Sequence, residues 1–117
     1  MIKTHNGSKL HISSSHKKSL MRNLSTSLFW YESIITTLPR AKELIKYSEK
    51  LITKAKTNNL HTIRLVAKEL NNKTVLNKLF KVLGPRYNTR HGGYMKIVKI
   101  YSRRGDAAKM AVISLLN

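Results

Sequence analysis

Apolar positions recur at helical spacing over four stretches of this chain, and short β-branched or alternating runs lie between them. Residues 1–13 show no periodicity and read as an extended arm. Ser14 or Ser15 caps a first helix that runs to about Tyr31, with Leu20, Leu24, Leu28 and Tyr31 as its apolar stripe and Lys17, Lys18 and Arg22 away from it. Ser33 to Thr37 is short and β-branched, which predicts a strand. Pro39 suits the first turn of a second helix, where its missing N–H is not needed. There Ala41, Leu44, Ile45, Ser48, Leu51, Ile52 and Ala55 recur inward, while Lys42, Lys46, Lys50, Lys54 and Lys56 stay outside.

Asn58-Asn59 breaks and recaps the chain before a third helix with Leu60, Ile63, Val66, Ala67 and Leu70 inward. Asn71-Asn72 repeats the break before a fourth, which carries Val75, Leu76, Leu79, Phe80 and Leu83. Gly84-Pro85 reads as its stop, a left-handed cap followed by a residue that cannot continue a helix. Residues 86–93 form a glycine-bearing basic loop. Tyr94 to Tyr101 and Met110 to Leu116 are two strands joined by a turn around Arg104-Gly105-Asp106. In the first of them Met95 and Ile97 point opposite to Val98 and Ile100, so the inner face is left open. The order helix–strand–three helices–two strands implies an α+β fold. It is a two-layer single domain over residues 14–117, with helices packed on one face of a small three-stranded sheet, an arm over residues 1–13, and the other sheet face free for a partner.

Charge changes the picture. The 117 residues carry 23 Lys plus Arg against five acids, a formal net charge of +18. Residues 73–117 hold ten of those bases against Asp106 alone, and the densest stretch runs from Arg86 to Arg104. Self-repulsion on this scale destabilises a compact state, and a dense polyanion relieves it most easily. Nucleic acid is the leading partner. A DNA-binding or nucleoid-type protein that ignores sequence is the alternative, but it needs a recognition helix, and these bases are dispersed over loops and strands. A membrane-surface role needs one long basic amphipathic helix, which the asparagine breaks interrupt. No apolar run approaches the roughly 20 residues that span a bilayer. The acid-free start resembles an organellar transit peptide, yet it continues into a core helix, which such a peptide does not.

Catalytic chemistry is not visible. The acids are isolated, Glu43 pairing with Lys46 and Glu69 with Lys73 on helix surfaces. His5, His11, His16, His61 and His91 form no metal motif, and the absence of cysteine removes thiolate sites and nucleophiles. No phosphate-loop or nucleophile-elbow motif occurs. The reading is a non-enzyme with no cofactor, no metal and no small-molecule substrate.

Groups suited to RNA cluster in two places. Arg86 and Arg90 carry planar forks that grip phosphate, and Gly92-Gly93 either lets the backbone approach a sugar-phosphate chain or is simply a turn. Tyr87 and Tyr94 are either platforms for an unstacked base or core residues. His16, Lys17 and Lys18 crowd the first turn of the first helix. The helix dipole disfavours bases there unless an anion sits beside them.

Four stretches then carry a family likeness: Ser14-Ser15-His16-Lys17 leading to Met21-Arg22-Asn23-Leu24; Ile35-Thr36-Thr37-Leu38-Pro39-Arg40-Ala41-Lys42-Glu43; Leu83-Gly84-Pro85-Arg86-Tyr87 continuing to Arg90-His91-Gly92-Gly93-Tyr94; and Arg104-Gly105-Asp106-Ala107-Ala108 before Met110-Ala111. In this order and spacing the chain resembles the bacterial-type large-subunit ribosomal protein L-seventeen family along nearly its whole length. The resemblance implies a two-layer α/β fold, a non-catalytic role, and binding to large-subunit rRNA beside neighbouring ribosomal proteins near the outer end of the nascent-peptide tunnel. It implies a cytoplasmic bacterial ribosome or an organellar one, and no membrane partner. The RNA-binding residues implied are Lys3, Lys9, His16, Lys17, Lys18, Arg22, Asn23, Thr36, Thr37, Arg40, Lys42, Arg86, Tyr87, Arg90, Gly92, Gly93, Tyr94, Lys96, Lys99, Arg103 and Arg104. Departures include Ile2 and Ile12 where arginines are common, Met95-Lys96 in place of a Thr-Arg pair, and Lys109 where proline is frequent.

Overall fold

A computed structural model describes residues 13–117. The extended arm expected over residues 1–13 therefore lies, Ser13 excepted, outside the described residues. Helix α1 (Ser14–Tyr31) opens on Ser13, whose hydroxyl accepts the His16 N–H. The cap falls one residue before either serine expected, because Ser13 holds the extended backbone an N-cap requires. Glu32 closes the helix in the left-handed region, at φ 65°, and turns the chain into β1 (Ser33–Thr37). Helix α2 (Leu38–Ala55) follows directly, with Pro39 in its first turn.

Both asparagine breaks act as caps. Asn59 accepts the Thr62 N–H while Thr62 accepts the Asn59 N–H, a reciprocal capping box that starts α3 (Leu60–Ala67). Asn72 accepts from the N–H groups of Thr74 and Val75 at the head of α4 (Lys73–Lys78). Glu69 consequently lies in the turn after α3 while Lys73 opens α4, and Glu69 accepts the Tyr47 hydroxyl.

Gly84-Pro85 does not stop the fourth helix. The helix widens into a π-helical segment, Leu79–Leu83, and ends in one more α turn, Gly84–Arg86. Gly84 is right-handed (φ −56°, ψ −54°) and buried, and a Cβ there would lie 2.8 Å from the Ala55 carbonyl oxygen at the end of α2. Its glycine permits a close helix crossing and not a positive φ. The Gly84 N–H reaches back five residues to Leu79, the wide turn that defines the segment.

Strands β2 (Met95–Ser102) and β3 (Lys109–Leu115) complete an antiparallel sheet of order β1–β3–β2. Ala111, Ile113 and Leu115 of β3 face the helices together with Met95, and Ile97 and Ile34 pack against the same core. This settles the open face of β2. Ile35, Val112 and Val98 form one row across the opposite, uncovered face, with Ile35 59% and Val98 49% exposed. An extra residue in β2 between Lys99 and Ser102 breaks the register near the hairpin tip.

Helix faces depart from the expected stripes where packing is tightest. On α1 the buried residues are Met21, Ser25, Leu28 and Phe29, with Leu20 and Leu24 at the margin and Tyr31 exposed. Ser25 lies against Ser48 of α2, hydroxyls 3.3 Å apart and both fully buried, so small residues let the two helices approach and rotate α1 toward Met21. Helix α3 spans eight residues and buries Val66, with Ile63 packed at its edge, leaving Leu60 and Ala67 exposed.

Candidate nucleic-acid interface

Helices α1 and α2 run side by side in the same sense, since Lys17 meets Glu43 and, further along both, Ser25 meets Ser48. This separates the expected RNA-binding residues into two ends. At the C-terminal end lies the loop after the fourth helix. At the N-terminal end the head of α1 is tied to α2 through Lys17 and Glu43, and the head of α2 meets the tip of the β2–β3 hairpin.

The C-terminal end is tied into the fold. Tyr87 and Tyr94 are each 1% exposed and pack together, ring centroids 5.1 Å apart. The Tyr87 hydroxyl donates to the Leu116 carbonyl, and the Tyr94 hydroxyl lies 3.2 Å from that of Thr53. Burial pushes the Tyr87 hydroxyl above its ordinary pKa. Neither ring offers a face to a base, so the core alternative holds and the stacking one is withdrawn. Arg86 donates to Glu32, which Lys78 also approaches at 3.6 Å. That hydrogen bond holds the Glu32 carboxyl below its usual pKa and raises that of Arg86. Lys56, read from the sequence as an outward cation, folds over the Tyr94 ring at 5.5 Å and donates to the Arg90 carbonyl. Gly92 and Gly93 take φ values of 124° and 63°, which makes the backbone turn their requirement. Arg90 is exposed, and its guanidinium has no ion pair among the described residues.

The N-terminal end is open. Thr37, Leu38, Pro39, Arg40, Lys42, Glu43 and Lys46 of β1 and α2, with Arg103, Ala108 and Lys109 of the hairpin, line a groove of about 740 Å³. Glu43, 8% exposed, is bracketed by Lys17 at 3.3 Å and Lys46 at 3.6 Å. An internal carboxylate thus stands beside Lys17 in the first turn of α1, while His16 and Lys18 stay exposed. Arg103 forms a two-pronged pair with Asp106, through Nε at 3.0 Å and a terminal nitrogen at 2.7 Å. The same carboxylate accepts the Ala108 N–H, and these bonds bring the Asp106 pKa down to about 2. Arg40, Lys42 and Lys109 are exposed and have no ion pair among the described residues.

The other expected residues distribute as follows. His16, Lys18 and Asn23 are exposed on α1, and Arg104 is exposed at the hairpin turn. Arg22 is half-buried beside Tyr47, whose hydroxyl burial and the Glu69 hydrogen bond push far above its ordinary pKa. Thr36 is buried within β1, in register with Ala111. Lys96 and Lys99 are exposed on β2, Lys96 in register with Ser114 and Ser33. Lys3 and Lys9 lie outside the described residues. Sequence reasoning missed Lys46 and Lys109 as groove residues. The first had the spacing of a solvated stripe, and no local pattern brings a hairpin tip to the head of α2.

A family model described as ribosomal protein L17 matches residues 20–116. The chain belongs to the ribosomal protein L17 family. It is therefore a ribosomal protein, a structural component of the translation machinery. Two relatives bear the name "Large ribosomal subunit protein bL17". The one from Endomicrobium trichonymphae is 54% identical over 116 residues, 99% of each chain. The one from Halothermothrix orenii is 49% identical over 108 residues, 92% of this chain and 95% of that one. Among the described residues no group of three His, Cys, Asp or Glu is placed to hold a metal, and no helix is long and apolar enough to cross a membrane.

Proposed function

We propose that this protein is a non-catalytic constituent of the large ribosomal subunit of a bacterial cytoplasm, where it binds large-subunit rRNA near the outer end of the nascent-peptide tunnel. The names of its relatives support the subunit, and the family likeness supports the location. The observation that carries the RNA partner is the charge left over after folding. Among the described residues Glu32, Glu43 and Asp106 form ion pairs, and they engage Lys17, Lys46, Lys78, Arg86 and Arg103. Most of the other Lys and Arg side chains among the described residues are exposed, in a chain of net charge +18. Screening by phosphate removes their mutual repulsion and lets RNA segments pack closely around the protein.

Binding to large-subunit RNA fragments, titrated against salt, tests this. Engagement of about eight cations gives a log–log slope near −6, at roughly 0.7–0.9 per phosphate. A slope near −1 or −2, or equal affinity for duplex DNA, overturns the proposal.

A further inference from the structure

We infer that the groove between the head of α2 and the β2–β3 hairpin tip is a seat for a polynucleotide backbone, with Arg40, Lys42 and Lys109 as its phosphate contacts. The inference rests on the RNA-binding reading and narrows it to one surface. Three observations carry it. First, cations from two elements far apart in sequence converge on one concavity. Second, the acid in its wall is already neutralised: Glu43 places one carboxylate oxygen against Lys17 and the other against Lys46, so the field in the groove stays positive. Third, Arg40, Lys42 and Lys109 have no ion pair among the described residues, whereas Arg86 at the other end has Glu32. Arg103 is positioned by Asp106, which also fixes the hairpin backbone at Ala108 and so keeps Lys109 at the groove rim.

A second groove of similar size, along β1, is lined by Leu24, Ser27, Tyr31, Ser33, Ile34, Ile35 and Val112, without a charged residue. It serves as an internal control, because no cation lines it.

The test compares the full chain with a variant carrying Arg40→Ala, Lys42→Ala and Lys109→Ala, titrated against large-subunit RNA fragments. The three side chains are exposed, so the melting temperature is expected to hold. The salt slope should become shallower by about 2 to 3, near one unit per lost phosphate contact, with affinity at least about tenfold weaker at low salt. The chain lacks cysteine, so Ala108→Cys accepts a unique photo-crosslinker, as does Ser27→Cys in the neutral groove. Crosslinks to RNA are expected from position 108 and not from position 27. A steep slope in the parent chain with an unchanged slope in the triple variant overturns the groove and leaves RNA binding standing. A shallow slope in the parent chain removes both. Full displacement by inorganic phosphate at constant ionic strength overturns the assignment to a continuous backbone.

Discussion

The two ends of the α1–α2 pair contain the same residue types and use them in opposite ways. At the C-terminal end Arg86, Lys78 and Lys56 point back into the protein, onto Glu32, the Trp30 carbonyl and the Tyr94 hydroxyl. They lock the fourth helix and the following loop against the ends of α1 and α2. At the N-terminal end Arg40, Lys42 and Lys109 point out around a groove. The difference lies in where the acids, aromatic rings and free carbonyls stand relative to the bases. Glu32, Tyr87 and Tyr94 engage Arg86, Lys78 and Lys56 at one end, whereas at the other Glu43 and Asp106 pair with Lys17, Lys46 and Arg103 and leave Arg40, Lys42 and Lys109 without an ion pair among the described residues. A run of basic residues is therefore not a measure of what a partner can reach.

This contrast can be broken most forcefully at Tyr87. Tyr87→Ala should cost about 3–5 kcal/mol of stability, the range for removing a large aromatic from a core, in urea unfolding. Stability retained alongside weakened RNA binding would return the ring to the role of a base platform. Gly84→Ala should cost about 1–3 kcal/mol, since its methyl meets a backbone carbonyl that has nowhere to go; a melting curve matching the parent would show that the crossing is loose.

Arg86→Ala should cost up to about 1 kcal/mol, as expected for a part-exposed ion pair, while changing the salt slope of RNA binding by less than Arg40→Ala does. The pH dependence sharpens the point. Glu32 has a lowered pKa in the folded protein because Arg86 donates to it. Its contribution is complete above the unfolded value near 4.5 and disappears as pH falls through the lower folded value. Melting temperatures of the parent and Glu32→Gln should therefore differ at pH 7 and converge in acid. The smallest effect is expected at Ala107, which holds φ 56° in the hairpin turn. Ala107→Gly should raise stability by about 0.5–1 kcal/mol by relieving the left-handed strain, measured by thermal unfolding, with the groove intact.

Much of the fold was legible because its signals are local. Pro39, the β-branched run Ser33–Thr37, and the caps at Asn59 and Asn72 mark boundaries within four residues of themselves, and the structure places them as expected. Gly84 misled because a glycine before proline has two uses, a left-handed turn or a close crossing. Only the position of Ala55 selects between them. The stripe on α1 was offset because Ser25, polar by composition, becomes core when Ser48 lies against it.

The candidate site was legible as chemistry but not as a surface. The sequence by itself determined the α+β order of elements, the excess of positive charge and the family to which the chain belongs, because propensity, net charge and motif spacing survive without a third dimension. Tertiary structure alone decided which bases are already satisfied and which are presented. Arg86 and Glu32 stand 54 residues apart, and Lys109 meets the head of α2 only through the return of a hairpin. Ion pairing falls off within angstroms, whereas sequence separation says almost nothing about distance once a chain has packed.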